Sequence, residues 1–593
     1  MWTYEIIIVL VAILFILISL YKELIGPALT FVVAVIVLGI TRILEPAEMI
    51  SGFANEQIAV ILMLLLLGDI IRRNSIIELI FDRLFRNAKS YRWFMAQMMF
   101  VIGTFSAFLN NTPLVAVMMP YVRTWSNKKD ISPSKLLIPL SYAAILGGAV
   151  TLIGTSTNLI VNGLVIDQDI TTEVTRLGLF HFSYVGIPMF ILGFLYMVFI
   201  GSRLLPSKPD IVEAYAKNAM EYIIEAEIRR NSKLIGKTIE EAKLRNLQGL
   251  FLVEIVRNQY TITAVSPDTI IYEGDRLMFA GETKSITNLI ETDTGLTLPQ
   301  VGMLKKKKEA GIVEIVISHN STLIAKTVKN ANFRGSYDSA VVAIHRNGER
   351  IHGKIGDVRL KAGDALLLMA GDDIKDRSLN SHDFYFISKV KAIRRGEMWK
   401  SIVLLSGTAT AIMVSALGFI SLFLSLLIFI TILFGLKITN PKDIPKRLDF
   451  NLGVIIAMAL ALGTAMMKTG TADLLANSII NLFQPFGVIG LLFGIYIITA
   501  LLASYITYSA AIAIVFPISL TMAVNQGLDP MPFILIVAHA AAANFMTPIG
   551  YQTNLMVYGP GRYSFKDFFK VGFPLTVLYM VVTVFILYYV FLY

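Results

Sequence analysis

Apolar residues occupy this chain in blocks too long and too pure for the core of a soluble domain. Near-continuous runs at 6–20, 29–38, 58–67 and 580–592 have the length of helices that cross a bilayer. The full pattern predicts spans near 4–20, 27–43 and 57–71, then an amphipathic piece to about 92. A stretch at 93–122 follows, interrupted by Asn110-Asn111-Thr112-Pro113, and two more spans lie near 135–165 and 182–204. Beyond a polar insert the order recurs: 401–417, 419–436, 452–468, an amphipathic piece to 484, a broken stretch at 487–524, then 531–557 and 570–592.

Charge follows the same division. Of 52 basic and 42 acidic residues in 593, 56 lie between 201 and 400. At 16% charged, 55% hydrophobic and a mean hydropathy of +0.67, the chain falls outside ordinary soluble enzymes, where about a quarter of residues are charged. The first run has Glu5 ahead of it and no small-residue cleavage site after it, so it reads as a span and not a leader. A net charge of +10 is explained by basic residues at cytoplasmic loops, with no need for a nucleic-acid partner. With no cysteine and six scattered histidines, the sequence offers no thiolate, no metal cluster and no phosphate loop. It reads as no enzyme.

Loop charges predict sidedness. Arg72, Arg73, Arg83, Arg86, Lys89 and Arg92 precede the broken stretch 93–122, and Arg123, Lys128, Lys129 and Lys135 follow it. Both clusters are expected on the cytoplasmic side, which makes the stretch a re-entrant hairpin with a second arm of about ten residues, too short to span. Asp167, Asp169 and Glu173 then fall outside. The polar insert falls inside with Lys437, Lys442, Lys446, Arg447, Arg562, Lys566 and Lys570. The expected fold is an α-helical polytopic membrane protein in the plasma or inner membrane, with both termini outside. It has two inverted repeats (1–205 and 400–593), each of five crossings and a hairpin (93–122 and 487–524).

The halves also align residue by residue. Gly154-Thr155-Ser156-Thr157-Asn158-Leu159 matches Gly550-Tyr551-Gln552-Thr553-Asn554-Leu555 at an offset of 396, and Pro120 matches Pro517 at 397. Gly68 matches Gly463, and Gly186 and Pro188 match Gly572 and Pro574. Inverted repeats with paired interrupted helices are the architecture of secondary transporters, with substrate held where the breaks meet. Unwound backbone is tolerated at membrane depth only where it lines a cavity. Carbonyls there can ligate a cation, and helix N-termini favour an anion.

On these motifs the chain resembles the divalent-anion/sodium symporters, the sodium-coupled sulfate and dicarboxylate carriers, over both apolar blocks. The hairpin tips are Asn110-Asn111-Thr112 and Thr507-Tyr508-Ser509, and the helix breaks are Thr155-Ser156-Thr157-Asn158 and Tyr551-Gln552-Thr553-Asn554. The resemblance implies a first sodium site at Ser106, Asn110, Asn111 and the Gly154 carbonyl. It implies anion binding by Asn111, Thr112, Thr155, Ser156, Thr507, Ser509, Tyr551 and Gln552. A second sodium site would use Thr507, Tyr508 and the Ile506 and Gly550 carbonyls. Here the sequence departs from the family, with Tyr508 in place of a tip Asn and Ala503 in place of a hydroxyl residue. It further implies a homodimer, an elevator-type mechanism, Na+ as coupling ion and no organic cofactor. No Arg or Lys belongs to the breaks, which favours sulfate as substrate. A sodium- or proton-coupled dicarboxylate carrier, a channel gated by the insert and a receptor without flux are the alternatives. Asp69 and Lys468 are expected to snorkel to the interfaces, and His539 to be a satisfied core histidine.

The insert repeats at an offset of 89. Asn231-Ser232-Lys233-Leu234-Ile235 matches Asn320-Ser321-Thr322-Leu323-Ile324, and Arg245, Arg257 and Gly274-Asp275 match Arg334, Arg346 and Gly363-Asp364. Strand-like runs at 250–256, 275–279, 340–345 and 365–369 predict two small α+β domains, 210–300 and 305–392, joined near 305–308. They resemble the TrkA-C regulatory domain of potassium channels and transporters, which implies pairing and a possible small ligand. No nucleotide-binding glycine motif accompanies them.

Overall fold

The computed structural model describes residues 3–22, 24–73, 84–85, 88, 90–167, 177–208, 223–230, 232–244, 250–257, 260–263, 265–281, 296–297, 312–319, 321–337, 339–351, 355–370, 383–387, 398–441, 444 and 450–593. Arg83, Arg86 and Lys89, Asp169 and Glu173, Lys442, Lys446 and Arg447, the junction 305–308, and Asn231, Arg245 and Asn320 of the insert repeat lie outside these residues.

The first apolar block folds as α1 (Tyr4–Tyr21), α2 (Pro27–Ile40), the short α3 (Pro46–Ile50), α4 (Glu56–Arg73), α5 (Tyr91–Ser106), α6 (Asn111–Lys128), α7 (Leu137–Gly148), α8 (Ser156–Asp167) and α9 (Ser183–Tyr196). After the insert come α11 (Met398–Ala416), α12 (Leu422–Gly435), α13 (Phe450–Lys468), α14 (Thr471–Phe483), α15 (Gly487–Tyr505), α16 (Tyr508–Asn525), α17 (Pro530–Ala542), α18 (Gln552–Tyr558) and α19 (Phe565–Phe591). Among the described residues six helical segments are long and apolar enough to cross a membrane.

The two blocks match element for element around their interruptions: α5–α6 with α15–α16, α7–α8 with α17–α18, and α9 with α19. All twelve residues of α7 are buried, and α17 is buried from Met531 to its end. An apolar helix with no polar face belongs inside a bundle, and these two form its centre. Each leads into a break whose loop is held in the same way. Asn158 Nδ2 donates to the Thr151 carbonyl at 2.8 Å, and Asn554 Nδ2 donates to the Thr547 carbonyl at 3.2 Å, repeat-equivalent bonds. A Cβ on Gly186 would lie 2.6 Å from the Ala149 carbonyl oxygen, and one on Gly572 would lie 2.1 Å from that of Phe545. Glycine is therefore required at both positions, because α9 and α19 pack directly on the unwound backbone.

The first hairpin differs from expectation in length. Its second arm, α6, runs for 18 residues through Pro120 to Lys128, where an end near 122 was expected. At 1.5 Å per residue that is about 27 Å. Thr124 Oγ1 donates to the Pro120 carbonyl at 2.7 Å, and the polar last turns remain helical. Asp69 is buried in α4 instead of reaching an interface, whereas Lys468 pairs with Glu48 at 3.0 Å and His539 Nδ1 meets Tyr579 Oη at 3.0 Å in the core.

The insert forms two five-stranded antiparallel sheets. The first joins β1 (Ile223–Ile228), β2 (Leu250–Arg257), β3 (Tyr260–Thr263), β4 (Arg276–Gly281) and β5 (Leu296–Thr297) in the order β3-β2-β4-β1-β5. The second contains β6 (Ile312–Ile317), α10 (Phe333–Tyr337), β7 (Ser339–Arg346), β8 (Glu349–Arg350), β9 (Ala365–Ala370) and β10 (Phe384–Phe386). Its order, β10-β6-β9-β7-β8, is the same topology read from the other edge. Even the bulge recurs, between Leu252 and Glu254 and between Val341 and Ala343. Each sheet has its own apolar core. In each, one arginine clamps the turn into the fourth strand. Arg257 donates twice to Asp275, both bonds at 2.8 Å, and Arg346 donates twice to Asp364, both at 2.7 Å. The aspartates are fully or almost fully buried.

Removing a guanidinium from a buried aspartate costs about 3–5 kcal/mol. Arg346→Ala is therefore expected to raise hydrogen exchange across β6, β7 and β9 while leaving β1, β2 and β4 unchanged. Arg257→Ala should do the reverse. Exchange mass spectrometry on the intact chain reads both.

Candidate functional site

The hairpin tips and helix breaks meet at the centre of the bundle. Helices α6, α8 and α16 begin there at Asn111, Ser156 and Tyr508, and the short α18 begins at Gln552. Asn110 and Thr507 cap the two hairpin arms. The Asn110 side chain accepts from Thr112 N at 3.1 Å, and Thr507 Oγ1 accepts from Ala510 N at 3.3 Å. The Asn110 carboxamide is thus engaged in capping, apart from the cluster around Asn111.

Hydrogen bonds within this cluster tie the first half to the second. Asn111 Nδ2 donates to Tyr551 Oη at 2.8 Å, and Tyr551 Oη lies 2.7 Å from Thr155 Oγ1. Thr112 Oγ1 donates to Gln552 Oε1 at 2.9 Å, and Ser156 Oγ donates to Tyr508 Oη at 3.2 Å. The rings of Tyr508 and Tyr551 lie 5.9 Å apart. Six of the eight expected anion-site residues join this network; Thr507 serves as a cap, and Ser509 is buried in the first turn of α16. A small pocket adjoins the cluster, with Asn110 and Ser156 on one wall and Ile61, Leu64 and Gly68 of α4 on another.

The inner end of the Asn111 carboxamide meets only oxygens: the Ser106 hydroxyl, and the carbonyls of Ala144 and Gly154, both at 3.2 Å. Ser106 Oγ in turn donates to the Ala144 carbonyl at 2.7 Å. With the Asn111 oxygen inward, four neutral oxygens converge, a donor set suited to a hard monovalent cation. With the nitrogen inward, the carboxamide itself satisfies the two carbonyls. The donor set fits sodium. Ala144 was missed in the sequence because a carbonyl ligand leaves no mark on residue type.

The second insert sheet reaches this site. Gln552 Nε2 contacts His319 Nε2 from the segment after β6, one bond away from Thr112. Arg123 on α6 pairs with Glu314 of β6, an almost fully buried carboxylate. Tyr558 Oη donates to Asn347 Oδ1 at 3.1 Å, and a Cβ on Gly348 would lie 2.5 Å from the Arg562 carbonyl oxygen. Burial, with Arg562 and Arg350 nearby, pushes His345 down to about 4, so this contact forms around a neutral imidazole. The sequence carried no signal for His319, whose counterpart at the 89-residue offset is Arg230, an exposed partner of Glu273.

The chain matches the citrate transporter (CitMHS) family model over residues 9–496 and 411–593. An uncharacterized transporter of Synechocystis sp. is 31% identical over 98% of this chain and 96% of its own. Sodium/sulfate cotransporter 1 of Chlamydomonas reinhardtii is 25% identical over 95% of this chain and 87% of its own. The solved YdaH transporter of Alcanivorax borkumensis aligns over 91% of this chain and 86% of that chain at 12% identity. The TM-score is 0.39.

Arg123→Ala removes the guanidinium from buried Glu314, again a loss of about 3–5 kcal/mol. The expected result is undocking without unfolding: faster exchange at α18 and the 347–348 turn, with β7 and β9 still protected. Unchanged exchange at α18 would show that the ion pair does not hold the sheet in place.

Proposed function

This chain belongs to the citrate transporter family, and on that premise we propose that it is a sodium-coupled carrier importing a small divalent oxyanion, sulfate foremost. The observation that carries this reading is the convergence of three helix N-termini, on helices of twelve residues or more, around a hydrogen-bonded cluster without formal charge. Helix N-termini present unpaired N–H groups and partial positive charge, so they favour an anion without trapping it. Amides and hydroxyls of Asn111, Thr112, Thr155, Ser156, Tyr508, Tyr551 and Gln552 would exchange their mutual bonds for bonds to the oxyanion. A relative named as a sodium/sulfate cotransporter supports both the ion and the substrate.

Sodium would be held by Ser106 Oγ, Asn111 Oδ1 and the carbonyls of Ala144 and Gly154. Its charge would stand beside an anion site that has none of its own. Asn111 would connect the two, with one end on the cation cage and the other on Tyr551. The cycle is an elevator-type alternating access in a homodimer. The insert lies in the cytoplasm as a pair of TrkA-C-type units, and both termini lie outside. A dicarboxylate is the second reading, and the family's description, which names the tricarboxylate citrate, supports a carboxylate substrate in general.

Proteoliposomes should accumulate labelled sulfate when sodium is outside, and lose that uptake when potassium replaces it. Uptake indifferent to the sodium gradient would refute the coupling, and succinate carried in place of sulfate would overturn the substrate assignment. In the same assay Asn111→Ala is expected to reduce uptake more than about hundredfold, since it removes bonds on both sites. Tyr508→Phe, which loses one hydrogen bond worth about 1 kcal/mol, should cost about fivefold. Equal, mild losses would mean that the tips are structural.

A further inference from the structure

The two halves should offer a cation equivalent sites, and they do not. Ser106, Asn111, Ala144, Gly148 and Gly154 of the first half correspond to Ala503, Tyr508, Ala540, Asn544 and Gly550 of the second. In the first, the space beside Gly148 is filled by the Asn111 carboxamide. A Cβ on Gly148 would lie 2.6 Å from Asn111 Oδ1. In the second, the tip residue is a tyrosine whose hydroxyl bonds to Ser156 in the other half, and the hydroxyl of the Ser106 position is absent.

The corresponding space is taken by Asn544, which stands where the first half has glycine. Its Nδ2 donates to the Ala503 carbonyl at 2.9 Å and presses on Gly550 so closely that a Cβ there would lie 1.7 Å away. Its Oδ1 faces hydroxyls, accepting from Thr547 Oγ1 at 3.1 Å and Ser504 Oγ at 3.4 Å, so the nitrogen is the inward atom. The expected ligands Ile506, Thr507, Tyr508 and Gly550 therefore do not fit a sodium ion.

We infer that the second half binds no sodium, because the Asn544 amide is a tethered donor in the place the ion would take. An N–H group satisfies a carbonyl as a cation would, yet carries no charge and does not dissociate. Asn544 is a positioning residue that holds the break before α18 closed on the second hairpin throughout the cycle. The inference depends on the reading above only for the identity of the ion.

Equilibrium binding of radioactive sodium to the purified full chain tests it. About one sodium per chain is expected, falling to none in Asn111→Ala. Two per chain in the parent, or one retained in Asn111→Ala, would overturn the inference. The double variant Ala503→Ser/Asn544→Gly recreates the residues of the first half at these two positions, and it is expected to bind one sodium more than the parent. A folded double variant, verified by its unfolding temperature, that gains none would show that the amide is not what excludes the ion. No sodium bound by the parent but one bound by the double variant would sink the coupling reading at the first site and uphold the inference about the second.

Discussion

An interrupted helix in a bilayer exposes backbone groups that lipid cannot satisfy, and this molecule is organised around four such interruptions. The first requirement is local. Asn158 and Asn554 each hold the loop of their own break, and Gly186 and Gly572 let a neighbouring helix close over the unwound carbonyls. The second is collective. Asn111, Thr112, Thr155, Ser156, Tyr551 and Gln552 find partners across the pseudo-symmetric interface, so these bonds also join the halves.

Much of this was legible in the chain. The offset of 396 located both helix breaks, and Pro120 and Pro517 located the hairpins, because backbone interruption demands particular residues: glycine, proline, and short amides and hydroxyls. What escaped has equally physical causes. The end of α6 was misplaced because a proline in a buried helix need not end it, and a polar last turn is comfortable once it leaves the lipid. The Ala144 carbonyl is invisible to any reading of side chains. Asn544 was readable as an asparagine opposite Gly148, but its consequence emerges only when its nitrogen is seen against Gly550.

The insert teaches a different point about repeats. Its two sheets share strand order, bulge and arginine clamp, so their folding is set by the same interactions. Their surroundings differ. Gly274 and Gly363 both have φ near +80°, yet Gly274 faces open space, whereas a Cβ on Gly363 would lie 2.6 Å from Leu555 of α18. One copy keeps its turn free, and the other rests that turn on the helix that starts at the polar cluster. Contact with His319, Glu314 and Asn347 makes the second sheet part of the wall of the site, and any displacement of α6 and α18 must carry that sheet along or leave it behind.

The same divergence of equals operates inside the membrane. A carboxamide is needed beside each helix break to satisfy the carbonyls gathered there. In the first half it comes from the hairpin tip, Asn111, opposite glycine at 148; in the second it comes from the break itself, Asn544, and the tip is released to become Tyr508. The two changes belong together. Tyrosine at the tip without asparagine at 544 would leave the Ala503 carbonyl without its donor, and asparagine at both positions would overfill the space. Moving the amide from tip to break changes its function as well as its address. On the hairpin its inner end meets a cluster of oxygens, whereas at Asn544 the oxygen is held by Thr547 and the nitrogen lies against Gly550.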